Sequence, residues 1–295
     1  MHTYKDLESF EYWSITDKDQ FSISVIKGLI MDAVRKANSG HPGGAMSSAD
    51  FVYLLFKDYL KFDPKNPDWF DRDRFILSGG HMSMLQYSVL HLVGWMKLSE
   101  IKKFRQLGSH TPGHPEVEIP GVECTTGPLG QGFAMGVGMA LAESYLSHSI
   151  ADHDEDSKDL INHFTYVLAT DGDLQEPVSL GAAAIAGHLG LKKLIVYYDA
   201  NDAQISGKVS RSDSVNYATV FDGLGWNVQE IDGHDHSALH FAIETAKVMD
   251  KPSIIIGKTV MARGTLNMEG DHNTHGAPLP QDEIDATKEK LGLPV

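Results

Sequence analysis

Asp171 and Asn201 are the pair whose types and spacing carry the clearest chemistry. Asp171 follows directly on the apolar run 164–170, and Asn201 comes two residues after the apolar run 194–199. If the runs are neighbouring parallel strands, these side chains stand at adjacent carboxyl ends, about 4.8 Å apart across the sheet. Open α/β sheets bind their ligands at that edge. One carboxylate, one amide oxygen and a nearby backbone carbonyl make a sparse oxygen site. Mg²⁺ suits such a site, because it takes one or two carboxylates and completes its shell with water and phosphate oxygens. The missing donors point to a bound pyrophosphate. Gly172 lets that group approach the chain, and the amides of the following helix can meet it. A helix capped by Asp171 after a strand explains the same spacing, and the residues alone leave both readings open.

The histidines divide into two sets. His148, His153, His163, His188, His234, His236 and His240 fall on helical segments or polar turns. His236 and His240 are four apart, a spacing that can bind zinc, but no third ligand follows and the expectation is a solvated helix face. His41, His81, His114, His272 and His275 all lie in Gly/Pro-rich or polar loops, where functional side chains concentrate. Several imidazoles together suit proton transfer on a sugar hydroxyl or carbonyl near neutral pH. The segment Gly127-Pro-Leu-Gly-Gln-Gly132 has its glycines in the wrong order for a dinucleotide fingerprint, and no strand clearly precedes it.

Elements must hold these residues in place. Apolar runs at 164–170, 194–199, 226–231 and 254–260, with helical segments at 177–189, 211–224 and 236–249, recur about every 30 residues, the βαβ spacing of a parallel sheet. A short strand is expected at 74–78, with Gly79-Gly80-His81 opening a helix after it. Upstream, a helix capped by Thr16 runs to about residue 36, stops at the Asn38–Gly44 cluster, and a second spans 48–59. Residues 108–132 form a long charge-poor loop, the kind that is functional when ordered. The small residues Gly132, Gly136, Gly138 and Ala140 then line a closely packed helix to about residue 148. Residues 152–159 read as an acidic surface loop, and 282–291 as a last helix. The expected architecture is one α/β domain over 1–295, a parallel central sheet with helices on both faces.

Composition excludes other classes. The chain has 295 residues, 42% hydrophobic and 22% charged, with a net charge of −15. That charge, without a basic stripe, argues against nucleic acid. A single cysteine, Cys124, rules out an internal disulfide or a thiolate cluster. No apolar run is long enough to span a bilayer, and no targeting segment is evident at the N-terminus, so a cytoplasmic protein with no membrane partner is expected.

Several runs then carry a resemblance. They are Asn38-Ser-Gly-His-Pro-Gly-Gly, Asp73-Arg-Phe-Ile-Leu-Ser-Gly-Gly-His81, Pro112-Gly-His-Pro-Glu, Thr125-Thr-Gly-Pro-Leu-Gly-Gln-Gly132, Asp171-Gly-Asp-Leu-Gln-Glu176, Asp199-Ala-Asn201 and Thr274-His-Gly-Ala-Pro278. In that order, from about residue 15 to 290, they resemble the transketolase family. The resemblance implies a thiamine diphosphate-binding fold, thiamine diphosphate with a divalent cation (Mg²⁺, or Ca²⁺ or Mn²⁺), and transfer of a two-carbon ketol unit from a ketose to an aldose. Carried over by position, Asp171, the Asn201 side chain and the Ala203 carbonyl would bind the metal. Gly172, His81, His275 and Asn201 would lie by the cofactor diphosphate, and Gly127 and Leu129 by its aminopyrimidine. His41 and His114 would face the substrate as catalytic groups. Glu176 matches a carboxylate used in communication between two active sites.

Four positions depart from the family pattern: Thr170 stands for a glycine, Asp173 for a cysteine or small residue, Pro177 for a glycine, and Asp202 for asparagine or glycine. Asp173 is expected to put a negative charge beside the pyrophosphate. The family's cofactor-activating glutamate and phosphate-binding arginines come from pyrimidine-binding and C-terminal domains that this sequence does not contain. The chain therefore resembles the N-terminal subunit of a split transketolase. It is expected to act on sugars or sugar phosphates only with a separate C-terminal subunit, in an assembly of two copies of each. A non-catalytic thiamine diphosphate-binding or regulatory module is the alternative. A 2-oxo acid dehydrogenase α subunit is disfavoured by the Ser-Gly-His-Pro and Gly-Pro-Leu-Gly-Gln-Gly blocks.

Overall fold

The computed structural model describes residues 2–153, 157, 160–204 and 207–295. Five short strands form one sheet: β1 (Arg74–Leu77), β2 (Thr165–Thr170), β3 (Leu194–Ala200), β4 (Asn227–Asp232) and β5 (Ser253–Lys258). Their order is β1-β2-β3-β5-β4, and every neighbouring pair is parallel. Side chains alternate across a strand, and that alternation builds two cores. Phe75, Leu77, Tyr166, Leu168, Ile195, Tyr197 and Ile255 face one layer of helices. Ile76, Val167, Ala169, Val196, Tyr198, Ile254 and Ile256 face the other. The sheet with helices on both faces is as the strand spacing predicts. The apolar reading of 226–231 holds less well: β4 is an edge strand with no fully buried residue, and the buried Trp226 lies just before it, its indole donating to the Ala183 carbonyl at 2.9 Å.

The first face is covered by α1 (Ile15–Ala37), α2 (Pro42–Ser47), α3 (Ala49–Leu54) and α4 (Ser83–Leu92), with the short α5 (Leu98–Ile101) beyond them. The second is covered by α6 (Gln131–His153), whose β2-facing side is cut back to glycine: a Cβ on Gly136 would sit 2.4 Å from Val167 Cγ2. Gly138, expected to serve the same close packing, faces open space. Next come α7 (Asp171–Gln175), α8 (Pro177–Leu189), α9 (Tyr217–Gly223), α10 (His236–Val248) and α11 (Gln281–Lys290). Of these, α8 and α9 lie on the second face with α6, and α10 joins the first.

Three boundaries differ from expectation. Ser14, not Thr16, caps α1, accepting from the Asp17 amide at 3.1 Å. The Asn38–Gly44 cluster does not stay outside a helix, because Pro42 takes the first position of α2, where its missing N–H costs nothing. The segment expected as one helix over 48–59 is α3 followed by a π-helical stretch, Leu55–Tyr59. Residues 4–12, which lack clear periodicity, wind into 3₁₀ turns. Helix α6 takes in 152 and 153; of the remaining acidic loop only 157 lies within the described residues.

The 108–132 loop is ordered by bonds to its surroundings rather than by its own structure. Tyr87 Oη donates to the Pro112 carbonyl at 3.0 Å, Ser83 Oγ to Gly113 at 3.0 Å, and Thr126 Oγ1 to the Leu77 carbonyl at 2.8 Å.

Candidate cofactor site at the carboxyl edge of the sheet

β2 and β3 are neighbours, and Thr170 pairs with Asp199 at their ends. Asp171 therefore starts α7 at the same edge from which Asn201 leaves β3. Its carboxylate is buried and half satisfied: Oδ1 accepts from Tyr198 Oη at 2.5 Å, while Oδ2 is enclosed with no partner. Burial, reinforced by Asp199 and Asp202 and opposed by bonds from Tyr198 and the Asn201 backbone, pushes its pKa up to about 7. A bare buried oxygen on an acid that resists ionising is what a divalent cation would complete.

Asp199 fixes the second donor. It is fully buried and accepts from Asn201 Nδ2 at 2.8 Å, from Ser47 Oγ at 2.8 Å, and from Thr259 Oγ1. One carboxylate thereby ties α2, the β3 exit and the β5 exit together. The Asn201 amide nitrogen being spoken for, its oxygen turns towards Ala203, whose amide donates to it at 3.0 Å. Asp202 between them takes a left-handed φ of 55°, which lets the chain double back there.

A cavity of about 410 Å³ opens at this edge. It is lined by all ten residues expected from sequence to bind metal or cofactor or to face the substrate: Asp171, Asn201, Ala203, Gly172, His81, His275, Gly127, Leu129, His41 and His114. They come from six separate segments. His41 precedes α2, His81 sits in a 3₁₀ turn after β1, and His275 follows the 3₁₀ turn His272–Thr274. The His41, His81 and His275 rings meet at 5.1–5.6 Å between centroids. Gly127, at φ 151°, a region closed to side chains, brings the fourth imidazole in: a Cβ there would touch His114 Cγ at 3.3 Å.

All four imidazoles are held neutral at pH 7. Burial, then His275, Arg105 and His114, lower His41 to about 4. Burial and the neighbouring His275 and His41 hold His81 well below its ordinary value. Burial lowers His275, and burial with Arg105 lowers His114. His41 Nδ1 is buried without a partner, so the ring is free to bond a ligand. Linkage gives a test. A folded pKa below the unfolded 6.5 means that this contribution to stability is present above pH 6.5 and is lost as pH falls towards 4. The chain with His41→Gln is expected to lose less stability than the unsubstituted chain between pH 7.5 and 4.5, measured by urea denaturation. Equal losses would show that His41 is not held neutral by the fold.

Other expectations need correction. Asp173 does not line the cavity. It is fully buried and accepts from Ser78 Oγ at 2.6 Å, the Gly130 amide at 2.8 Å, and the Thr170 amide and Oγ1 at 2.9 Å each. Thr170 and Asp173 are thus a bonded pair, and the charge is turned away from the cavity. Asp171 is not the cap of α7, since Thr170 holds that position, and α7 is only five residues long. His272 is exposed and outside the cavity. His236 and His240 do not form a solvated face, and His234 beside them is likewise bonded. Val260 N donates to His234 Nε2 at 2.9 Å, which leaves the proton on Nδ1 to meet Asp50 at 3.4 Å, and His236 Nε2 lies 3.1 Å from the other Asp50 oxygen. His240 Nδ1 bonds Tyr59 Oη at 2.6 Å. These histidines hold α10 to α3 and the π stretch.

The cavity also takes in Gly44, Met82, Gln175 and Gln204, which sequence reasoning passed over. Gln175 Nε2 is buried without a partner, and its neighbour Glu176, at the start of α8, lines the rim. The place of Gln175 in the run Asp171–Glu176, next to the Glu176 that the family pattern picks out, was the available signal. Among the described residues no group of three or more His, Cys, Asp or Glu side chains is set to hold a metal. The Asp171 site is of another kind, with one carboxylate beside amide and main-chain oxygens.

The chain is similar to known proteins of one family. The family profile "Transketolase, thiamine diphosphate binding domain" matches residues 18–294. A transketolase from Staphylococcus epidermidis is 49% identical over 279 residues, covering 94% of this chain and 42% of that protein. One from Sinorhizobium medicae is 50% identical over 272 residues, covering 91% of this chain and 38% of its own. Among solved structures, the transketolase of Campylobacter jejuni superposes with a TM-score of 0.87 at 43% identity, over 93% of this chain and 43% of that one. The Pichia stipitis transketolase, in complex with sedoheptulose-7-phosphate, superposes with a TM-score of 0.88 at 42% identity, over 93% and 41%. The chain spans about two fifths of the length of these relatives. With the profile matched over residues 18–294 and the motif residues gathered on one cavity, the chain belongs to the transketolase family, of which it carries the thiamine diphosphate-binding domain.

Proposed function

We propose that this chain holds the diphosphate end of thiamine diphosphate through a divalent cation, Mg²⁺ or alternatively Ca²⁺ or Mn²⁺. We propose that it serves as the N-terminal half of a transketolase, its 295 residues acting as one domain. The observation that carries this reading is the unpartnered buried oxygen of Asp171, in one cavity with the Asn201 amide and four neutral imidazoles. In the proposed arrangement Asp171, Asn201 and the Ala203 carbonyl hold the cation. His81, His275, Gly172 and Asn201 meet the diphosphate, and Gly127 and Leu129 lie along the aminopyrimidine. When bound, thiamine diphosphate supplies the electron sink for breaking a carbon–carbon bond of a ketose. His41 and His114 orient the sugar hydroxyls and, being neutral, accept or return a proton there.

Asp171 and Glu176 are the acidic side chains that line the cavity. The first is assigned to the cation and the second to communication between two sites. We therefore assign the carboxylate that activates the pyrimidine ring to a complementary pyrimidine-binding half, on a separate C-terminal subunit. A second copy of this chain completes a two-plus-two assembly, an arrangement suited by the exposed Leu141 and Tyr145 of α6 and Ile185 and Leu189 of α8. Ketose and aldose sugars or their phosphates are the substrates. Among the described residues no helix is long and apolar enough to cross a membrane, in keeping with a proposed cytoplasmic location.

The test is a ketol-transfer assay of the purified chain with thiamine diphosphate and Mg²⁺, with and without the complementary half, alongside light scattering. Transfer is expected only with both halves. Robust turnover by this chain alone would overturn the division of the site. Cofactor binding that never leads to transfer in any pairing would instead favour a non-catalytic module.

A further inference from the structure

Only one oxygen of the Asp171 carboxylate lacks a hydrogen-bond partner, and the Tyr198 side chain engages the other. Tyr198 Oη donates to Oδ1 at 2.5 Å, while Oδ2 is buried and unpartnered, in a residue that lines the cavity. Tyr198 cannot easily swing away. It is 6% exposed and packs edge-on against Tyr217 at 5.9 Å, and Tyr217 is itself held by a 2.6 Å bond to Asp213. We propose that Tyr198 is a positioning residue that makes Asp171 a one-oxygen donor and so tunes which cation the site prefers; this rests on the cofactor reading above.

The reasoning is geometric. Mg²⁺ demands near-octahedral single-oxygen donors at short distance, whereas Ca²⁺ takes six to eight oxygens and accepts both oxygens of one carboxylate. With Oδ1 occupied by the phenol, Asp171 offers the first kind of ligation. Without the phenol, the carboxylate can turn and present both oxygens, which helps the larger ion and loosens the site for the smaller.

The experiment is calorimetric titration of the full chain, assembled with its complementary half, with thiamine diphosphate at stepped Mg²⁺ or Ca²⁺, comparing the unsubstituted chain, Tyr198→Phe and Asp171→Ala, with melting temperatures of each. Phenylalanine keeps the ring packing and removes one charge-assisted hydrogen bond. The half-saturating Mg²⁺ concentration is expected to rise roughly tenfold in Tyr198→Phe, with a smaller rise for Ca²⁺, so that the ratio of the two moves towards Ca²⁺. A structural defect would weaken both ions alike. An unchanged ratio, whether or not affinity falls, overturns the positioning role. Asp171→Ala separates the two claims. If it keeps cation dependence, or if the unsubstituted chain shows none, the cofactor reading itself falls. If it loses that dependence while Tyr198→Phe keeps the original ratio, only the role of Tyr198 falls.

Discussion

Replacing Asp171 by alanine is expected to remove cation-dependent binding of thiamine diphosphate, with a loss of affinity on the order of 100-fold or more. Partners that merely orient a metal ligand cost 10–100-fold when removed, and a ligand itself costs at least the upper end of that range. The proposed site has no spare: Asp171 would supply its one charged donor, and the neighbouring carboxylate, Asp199, is consumed by Ser47, Asn201 and Thr259. The same change has little effect on the cation-free chain. A buried carboxylate oxygen with no partner opposes folding, while the buried Tyr198 hydroxyl would lose its acceptor; the two offset, so Asp171→Ala is expected to leave the melting temperature at pH 8 little changed without divalent ions. Lost binding with a retained melting temperature separates a vanished ligand from a damaged fold. Affinity within threefold of the unsubstituted chain would sink the metal assignment.

Much of this site was legible in the sequence because its residues sit where local rules are strong. Asp171 and Asn201 follow apolar runs whose spacing demands a parallel sheet, and adjacent strands put them on one edge. The glycine-bent loops bearing His41, His81, His114 and His275 announced themselves by composition, and the family motifs named the same positions. The remainder depended on distant contacts. Asp173 reads as an extra charge by the cofactor, but its four donors come from Ser78 just after β1, the 127–130 loop and Thr170, and no local pattern says which way it turns. His236 and His240 look like an exposed helical pair until Asp50 and Tyr59, some 180 positions earlier, are folded against them. The start of α2 was readable: Pro42 is a first-turn proline, outweighed in the sequence reading by the glycines around it. Gly44, Met82 and Gln204 carry no chemistry of their own and enter the site only because the elements bearing them converge there.

Asp173→Ala is expected to destabilise the chain by about 3 kcal/mol, since each buried donor left unpaired costs about 1–3 kcal/mol and part of that is recovered by no longer burying a charge. Such a loss is a large fraction of the roughly 5–15 kcal/mol that holds a typical domain together. Of the four donors, the Ser78 and Thr170 hydroxyls can rotate, and Ser78 Oγ already accepts from the Phe133 amide at 2.9 Å. The Gly130 and Thr170 amides have no such freedom. Because the Gly130 amide is the anchor between α7 and the loop bearing Gly127 and Leu129, its release is expected to weaken thiamine diphosphate binding as well. Asp173→Asn tests that step. Asparagine keeps an oxygen for Ser78 and Gly130 but turns an amide nitrogen against the Thr170 N–H, so stability falls while the loop remains anchored. Urea denaturation and cofactor titration of both variants are expected to show two destabilised proteins, of which only the alanine variant binds the cofactor markedly more weakly. Equal affinities in the two would assign the loop's position to the Thr126 bonds, its amide donating to the Pro115 carbonyl at 3.2 Å and its hydroxyl to the Leu77 carbonyl on β1 at 2.8 Å, and leave Asp173 a role in stability alone.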